Sequence, residues 1–484
     1  MNVKNNINWD LIKYSAVISS FIFFNYLLWA LNTITFIKMI NFFILVIIFI
    51  FFFISKKYNH LWYLKIVILL LLLISLGIPT IANDSRQIYL FSGKILFYES
   101  NFYNFLDHQN YSINYYLDIV NSRPKLAATL NANLAQLVGN WNEIFPKATN
   151  VILLLPPVIF LVSFFKDKIF SVLWIFLMLF FSGKLFINGL MDGLISLYFV
   201  SGLLIAYNIM NPTSETKKNL LYFILFLFFS ILSLCKNEGS IMIFTIIFSS
   251  ILLNFLYKNK PDYKFLFISF LSMLPIFFWK FAVITNNINF EWVQEGDSLS
   301  RLVERITNTT DLSIVIYFLS MNEKLIISII IFSFFAYKCY EKNKKIIIFV
   351  LMSSFLYFLS VILAFLISPH DLTVQLEASS IRVFIPVVLA FTYFSILLPI
   401  FAAAIVGGIG NPFGAFLGGY VIAFAEIFIT YAYKKFFMYL LPESLEPDTL
   451  MQLLSTDYKF AVSFSILVIV LLFRPTGIFK GKVL

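Results

Sequence analysis

The chain has 484 residues, of which 60% are hydrophobic and 12% are charged, and its formal net charge is +10 at pH 7. A soluble globular domain has about one charged residue in four, so this composition excludes one. The lysines cluster in some of the gaps between apolar runs and are scarce in others, as the positive-inside rule requires of a membrane protein. We therefore assign the positive charge to membrane topology and predict no nucleic-acid partner.

The apolar runs predict an all-α polytopic integral membrane protein that contacts the lipid bilayer along its length. Runs such as residues 61–82 and 345–367 are long enough for a helix to cross a bilayer, which takes about 20 residues. They lack the alternation of β-barrel strands. With the lysine clusters inside, we predict a multi-pass protein with a cytoplasmic N-terminus. The abundance of Ile, Phe, Lys and Asn fits an AT-rich bacterial genome, so we expect the membrane to be a bacterial plasma (inner) membrane.

The predicted elements begin with three spans, at about residues 14–31, 35–54 and 61–82, which lead to a long outer loop at residues 83–148. Further spans follow down to residue 399, and we expect about eleven crossings in all before that point. A Gly-rich hairpin comes after them.

The outer loop contains two amphipathic patterns, in which apolar residues recur at helical spacing. Helices of this kind lie along a membrane surface with one face buried. We therefore predict two surface helices in the loop. The apolar positions are Ile88, Phe91, Ile95 and Tyr98 in the first helix, and Leu126, Leu130, Leu134 and Leu137 in the second.

Asp84 stands where the third span ends and the first surface helix begins. One interpretation is an N-cap, because an Asp side chain accepts hydrogen bonds from the free amides of a first helical turn. The other is that a carboxylate at the boundary of water and lipid acts as a base on a substrate delivered from the bilayer. The residues alone leave both interpretations open, and the two roles are compatible.

Residues 10–397 resemble the bacterial GT-C glycosyltransferases, in particular relatives of the protein-mannosyltransferase and lipid-sugar transferase group. The resemblance rests on Asp84 after a span, on the long outer loop, and on residues 124–147, 188–193 and 234–239. It implies a GT-C-like transmembrane domain at residues 1–399, with Asp84 as the catalytic carboxylate. Asp84 would deprotonate an acceptor hydroxyl that attacks the anomeric carbon of a polyprenyl-phosphate sugar, with undecaprenyl phosphate leaving.

Such chemistry needs cations near the leaving phosphate. We assign donor-phosphate binding to Arg86, Lys236 and Arg382. A snorkelling lysine paired with a neighbouring glutamate remains an alternative for Lys236, and an interfacial anchor remains one for Arg382. The residues expected in supporting polar roles are Asp118, Asp192, Glu238 and His370.

No organic cofactor is predicted, and a metal stays an open question. The two cysteines and the isolated histidines have no metal-ligand spacing. A divalent metal would be held only if the outer loop brings Asp84, Asp107 and Asp118 together.

The chain changes character near Phe401, because 8 of its 17 glycines lie in residues 401–484. Glycine lets helices approach closely in a bilayer. Residues 402–426 and 457–479 resemble the C-terminal end of the membrane permease subunit of branched-chain amino acid ABC transporters. The resemblance implies a permease-like segment at residues 400–484, in which eight residues serve in packing or in coupling to an ATPase. They are Gly407, Gly408, Gly410, Asn411, Pro412, Glu426, Arg474 and Pro475.

Two functions from different classes follow from these resemblances. The first is an integral-membrane glycosyltransferase that uses a polyprenyl-phosphate sugar on the outer face and carries a partial permease end. The alternative is a permease subunit that imports branched-chain amino acids with a cytoplasmic ATPase and a periplasmic binding protein. A third interpretation is a junction of two unrelated segments in which the C-terminal part is a passenger.

Overall fold

The structure is a computed structural model, and it describes residues 7–395 except residues 81, 83, 104–119, 166–167, 213–215, 287 and 289–297. The chain forms two compact units, Met1–Phe394 and Ser395–Leu484. The Gly-rich segment predicted near the C-terminus, including all eight residues assigned to packing or coupling, lies outside the described residues.

The described residues form helices, and no strand is found among them. Short 3-10 helices cover Lys56–Leu61 and Phe145–Lys147, and a π-helix covers Ser85–Leu90. The α-helices are α1 (Trp9–Ala30), α2 (Thr35–Ile54), α3 (Trp62–Gly77), α4 (Phe91–Glu99), α5 (Leu126–Val138), α6 (Ala148–Val162), α7 (Lys168–Ile187), α8 (Asp192–Met210), α9 (Lys218–Cys235), α10 (Asn237–Leu256), α11 (Tyr263–Leu271), α12 (Leu274–Thr285), α13 (Ser298–Thr307), α14 (Thr309–Ser320), α15 (Glu323–Ile367), α16 (Leu372–Val383) and α17 (Ile385–Ser395).

Among the described residues, eleven helical segments are long and apolar enough to cross a membrane. Some of these segments consist of two consecutive helices, such as α11 and α12. The number becomes twelve if α14 and the first part of α15, which are bent by 69° at their junction, form one broken span. Helix α15 is itself interrupted at Asn343, whose backbone is not helical. The predicted all-α polytopic membrane protein is confirmed.

Burial separates the central spans from those that face lipid. In an apolar 18-residue stretch of each span, 89% of the stretch is buried in Phe145–Val162 and in Asp192–Met210, whereas only 28% is buried in Thr35–Ile54. Small residues allow the close packing of α8, since a Cβ at Gly202 would lie 2.8 Å from the ring of Phe229. Helix α8 therefore crosses the middle of the bundle, with Asp192 as its first residue.

The predicted outer loop contains helices, as expected, but their buried faces differ from the prediction. Helix α4 buries Ser92, Gly93 and Leu96, whereas Tyr98 is 65% exposed. A Cβ at Gly93 would lie 2.7 Å from the Cβ of Asn131, so the absence of a side chain at this position lets α4 and α5 approach closely.

Helix α5 is not a surface helix with one buried face. Its first turns are buried on both their apolar and their polar sides. The polar side packs on α1, where Trp29 Nε1 donates to Asn133 Oδ1 at 3.0 Å and Asn25 Nδ2 donates to Thr129 Oγ1 at 3.4 Å. These hydrogen bonds satisfy polar groups that an isolated amphipathic pattern assigns to water.

Candidate functional site

A cavity of about 640 Å³ opens among the ends of several helices of the first unit. This volume is within the usual range of small-molecule sites, roughly 300–1,000 Å³. Apolar side chains from α10, α15 and α16 form much of its wall. Its polar and charged lining residues are Asp84, Tyr89, Arg123, Lys236, Asn237, Glu238, Tyr357, Ser360, His370, Asp371, Gln375, Ser379 and Arg382.

Asp84 and Arg382 form an ion pair in the lining of this cavity. Arg382 Nη1 lies 2.6 Å from Asp84 Oδ2, although 298 residues separate the two along the chain. The Asp84 side chain makes no capping hydrogen bond to the π-helix Ser85–Leu90 that follows it. The N-cap interpretation of Asp84 is therefore wrong for this structure. Short π-helical segments occur frequently at functional sites.

A second, more deeply buried ionic cluster lies beside this pair. Lys236 Nζ is 2.8 Å from Asp192 Oδ1 and 2.8 Å from Glu238 Oε1. The Asp192 side chain is only 3% exposed, and its Oδ2 lies 3.9 Å from Arg382 Nη1. Carboxylates and cations therefore alternate from Asp84 through Arg382, Asp192 and Lys236 to Glu238.

The charge on Lys236 is maintained by these neighbours. Burial acts to lower the pKa of Lys236, but the carboxylates of Asp192 and Glu238 outweigh it and hold the pKa above its ordinary value. Lys236 is therefore an ammonium at neutral pH. Burial also raises the pKa of the nearby Tyr89 phenol, so Tyr89 stays a neutral hydroxyl.

Lys236 is positioned by a one-residue break between two spans. Its backbone is extended, with φ −158° and ψ 150°, between the end of α9 at Cys235 and the start of α10 at Asn237. A Cβ at Gly239 would lie 2.0 Å from the carbonyl oxygen of Leu232, so only glycine permits this approach of the two helices. The motif at residues 234–239 thus forms the turn that places Lys236 and Glu238 at the cavity.

The motif at residues 188–193 connects the segment around Asp84 to Asp192. Gly189 has φ +82° and packs directly on Ser85, the residue after Asp84. The turn is supported by Asn188 Oδ1, which accepts a hydrogen bond from the Leu190 amide at 3.0 Å. Helix α8 then begins at Asp192, which brings this carboxylate next to the Asp84–Arg382 pair.

Two arginines of α13 fix the edge of the cavity formed by the end of α15. Arg305 donates to the carbonyl oxygens of Phe365 and His370, both at 2.8 Å, and Arg301 Nε donates to that of Ile367 at 3.2 Å. The carbonyls of Phe365 and Ile367 lie in the last turn of α15, where they have no partner within the helix, and that of His370 lies in the connection to α16. Asp371 Oδ1 accepts from the Val374 amide and caps α16, which carries Arg382.

The predicted residues divide into three groups. Asp84, Lys236, Glu238, His370 and Arg382 line the cavity, and Asp192 contacts two of them. Arg86 is exposed and is not among the lining residues. Asp118 lies outside the described residues.

Sequence reasoning missed Arg123 and Tyr89 as cavity residues. Arg123 directly precedes the stretch at residues 124–147 that carries part of the resemblance. That position was the available signal. Tyr89 lies within the first amphipathic pattern but is not one of its apolar positions, so the pattern did not indicate that Tyr89 would be buried or would line a cavity.

The described residues contain no group of three or more His, Cys, Asp or Glu side chains that could hold a metal ion. Asp107 and Asp118, which the metal hypothesis requires, lie outside the described residues, so a metal at Asp84 stays an open prediction. Several buried polar atoms of lining residues have no hydrogen-bond partner among the described residues: Asn237 Oδ1, Glu238 Oε2, Gln375 Oε1 and Arg382 Nε. These atoms offer three acceptors and one donor to a ligand in the cavity.

Comparison with known proteins gives matches in the C-terminal part of the chain. The family described as the permease component of branched-chain amino acid transport systems matches residues 376–471. The match begins within α16 and includes Arg382. No solved structure matches the chain.

Curated relatives match over a similarly short length. The high-affinity branched-chain amino acid transport system permease protein LivH of Escherichia coli K12 is 40% identical over 78 residues, which is 16% of this chain and 18% of the relative. LivH of Salmonella typhimurium and LivH of Salmonella typhi match with the same identity and coverage. The chain thus spans less than one fifth of the length of these relatives, and its C-terminal end is similar to that part of a branched-chain amino acid permease.

Proposed function

We propose that the first unit is an integral-membrane glycosyltransferase that takes a sugar from a polyprenyl-phosphate donor. The observation that carries this proposal is the Asp84–Arg382 pair in a 640 Å³ cavity that also contains Lys236 and Arg123. A carboxylate base beside several cations suits the transfer of a group from a phosphate. The resemblance of residues 10–397 to GT-C enzymes supports the same assignment.

The proposed site faces the outside of a bacterial inner membrane. If the helices cross in alternation, with α14 and the first part of α15 as one span, the connections around the cavity share one side of the membrane. The connections on the other side carry the clustered lysines, so the positive-inside rule makes that side cytoplasmic. Those lysines include Lys56, Lys57, Lys217, Lys218, Lys258, Lys260, Lys344 and Lys345.

The reaction assigns a role to each charged group. Asp84 takes the proton of an acceptor hydroxyl while the hydroxyl oxygen forms a bond to the anomeric carbon. The bond from that carbon to the phosphate oxygen breaks, and its electron pair stays on the polyprenyl phosphate. Arg382 and Lys236 stabilise the charge that develops there, and Asp192 and Glu238 hold Lys236 in place.

The test is sugar transfer by the full-length chain in lipid vesicles, with a panel of labelled polyprenyl-phosphate sugars and cell-envelope acceptors. We expect Asp84→Asn to reduce the release of polyprenyl phosphate by about 10²–10⁴-fold, the usual contribution of a general base. Asp10→Asn is the matched control, because Asp10 also pairs with a cation, Lys57 at 3.0 Å, but at an exposed site outside the cavity. Full activity of the Asp84 variant would refute the proposal.

The family match favours a second function, in which the chain acts in branched-chain amino acid transport. It supports a permease-like role for residues 400–484, together with a cytoplasmic ATPase and a periplasmic binding protein as partners. No glycosyltransferase is among the relatives reported above, so the comparisons favour transport at the C-terminal end, whereas the charged cavity favours transfer in the first unit.

Affinity purification of the full-length chain from its native membrane distinguishes the two functions. The transport function predicts that an ABC ATPase subunit co-purifies and that this association is lost on deletion of residues 402–484. The transferase function predicts that sugar transfer by the first unit is independent of any ATPase. Failure to recover an ATPase under conditions that preserve other membrane complexes would contradict transport and leave the C-terminal segment as a passenger.

A further inference from the structure

We propose that Arg382 exchanges partners during the reaction, from the carboxylate of Asp84 to the phosphate of the departing lipid. The exchange rests on the proposed transferase function. It assigns Arg382 a task beyond holding the donor, because the release of Arg382 by Asp84 becomes coupled to the departure of the leaving group.

The first support is the geometry of the pair. Arg382 Nη1 donates to Asp84 Oδ2 at 2.6 Å, and the two side chains are 24% and 38% exposed, so a ligand in the cavity can reach both. Oδ2 of the buried Asp192 lies 3.9 Å from Arg382 Nη1. Arg382 would therefore stay in position when Asp84 releases it.

The second support is the movement of charge in the reaction. Before transfer, Asp84 is a carboxylate and attracts the guanidinium, while the phosphate of a sugar phosphodiester carries a single negative charge. The acceptor proton moves to Asp84 and neutralises it, and the breaking of the bond between the anomeric carbon and the phosphate oxygen leaves the electron pair, and a second negative charge, on the phosphate. The stronger partner of Arg382 is then the phosphate.

If the phosphate binds Arg382 at an atom that Asp84 does not use, a different effect of Asp84 on phosphate affinity is expected. Arg382 Nε is buried and has no hydrogen-bond partner among the described residues, so a phosphate could bind there without disturbing the bond to Asp84. In that arrangement, Asp84 and the phosphate would not compete. Removing the charge of Asp84 would then change phosphate affinity only through the electrostatic potential in the cavity.

Binding of geranyl phosphate, a short polyprenyl monophosphate, to the full-length chain in detergent separates these cases. Asp84→Asn imitates the protonated state of Asp84, so we expect it to bind geranyl phosphate about fivefold more tightly than the natural chain. This factor corresponds to about 1 kcal/mol, the upper range for a partly exposed ion pair that no longer competes. Asp84→Ser is expected to give the same gain and replaces the Asn variant if that variant does not insert.

Two comparisons make the result specific. Asp371→Asn removes a carboxylate from the same cavity, but Asp371 caps α16, and the ion pairs found for Arg382 among the described residues are with Asp84 and Asp192. We therefore expect a gain of less than about twofold. In the Arg382→Ala background, the gain from Asp84→Asn should disappear, because the competition needs Arg382. Equal gains from the Asp84 and Asp371 variants, or a gain that persists without Arg382, would overturn the exchange.

The exchange and the proposed function can fail separately. If geranyl phosphate binds but Asp84→Asn leaves or lowers its affinity, the exchange is wrong and the transferase assignment is untouched. If neither the natural chain nor any variant binds geranyl phosphate, the donor site itself is wrong and both proposals are refuted.

Discussion

Gly189 packs directly against Ser85, so closely that a Cβ at position 189 would lie 1.8 Å from Ser85 Oγ and 3.0 Å from Ser85 Cβ. Gly189 also has φ +82°, a conformation that side chains disfavour. This contact joins the segment before Asp192 to the segment after Asp84. The distance between the carboxylates of Asp84 and Asp192, which both lie close to Arg382, therefore depends on Gly189.

The first prediction concerns this contact. Gly189→Ala should destabilise the fold by about 1–3 kcal/mol, because it adds both backbone strain and a steric clash. It should also lower any activity of the cavity by displacing Asp84. The measurement is the thermal unfolding midpoint of the purified chain in detergent.

Gly183→Ala is the matched control for that measurement. Gly183 lies inside α7, and a Cβ there would meet no atom within 4 Å. Alanine is favoured over glycine inside a helix by about 0.5–1 kcal/mol, so this variant should be as stable as the natural chain or slightly more so. Equal losses in the two variants would contradict the role given to Gly189.

The second prediction concerns the buried ion pair. Asp192→Asn should destabilise the chain by about 3–5 kcal/mol, because it removes one partner of Lys236 inside the bundle. Asp10→Asn breaks an ion pair of similar length, Asp10–Lys57 at 3.0 Å, whose side chains are both more than half exposed. It should have little effect on stability, because solvent screens the exposed pair.

Chemical unfolding of both variants in mixed micelles measures the difference. A loss for Asp192→Asn no larger than that for Asp10→Asn would mean that water reaches Lys236 and that the cluster is not buried in the folded chain.

The third prediction concerns the arginine that fixes the cavity edge. Arg305→Ala should destabilise the chain by about 1–3 kcal/mol, since the carbonyls of Phe365 and His370 lose their donor. Hydrogen exchange at the end of α15 and the start of α16 should rise in this variant. Unchanged exchange there would show that water replaces the guanidinium without cost.

The spans were predictable from sequence because a hydrophobic run of sufficient length has few alternatives in a bilayer. The charged residues between spans could also be recognised as candidates, since an ionisable side chain such as Asp192 or Lys236 is costly in lipid without a partner. The identity of each partner was less accessible. The Asp84–Arg382 contact joins positions 298 residues apart, which no local pattern encodes.

The packing of the outer loop shows a related limit. The periodicity of Leu126 and Leu130 predicted a helix correctly, but it could not show that the opposite side of α5 packs on α1. That contact depends on Asn25 and Trp29, which lie about 100 residues earlier and meet polar atoms of α5. Periodicity reports which side of a helix is apolar, whereas burial also depends on polar partners elsewhere in the chain.

The last prediction concerns pH and the buried Lys125, which lies in the outer loop with its ammonium 5.0 Å from the centre of the Trp279 ring. Burial lowers the pKa of Lys125 to about 8 from its ordinary value of 10.5. Between these two values, the unfolded chain binds more protons at this residue than the folded chain does, so the free energy of unfolding rises with pH. The gain across the whole window is about 3 kcal/mol, and below pH 8 the cost of charging the buried amine is fully present.

Lys125→Met isolates this contribution, because methionine has a similar length and no charge. Thermal unfolding midpoints of the natural chain should rise between about pH 8 and pH 10 relative to those of the variant, and the two curves should run parallel below pH 7. Parallel curves over the entire range would mean that Lys125 keeps its ordinary pKa in the folded chain. The amine would then have access to water, and α5 would pack less tightly on the rest of the bundle than its burial indicates.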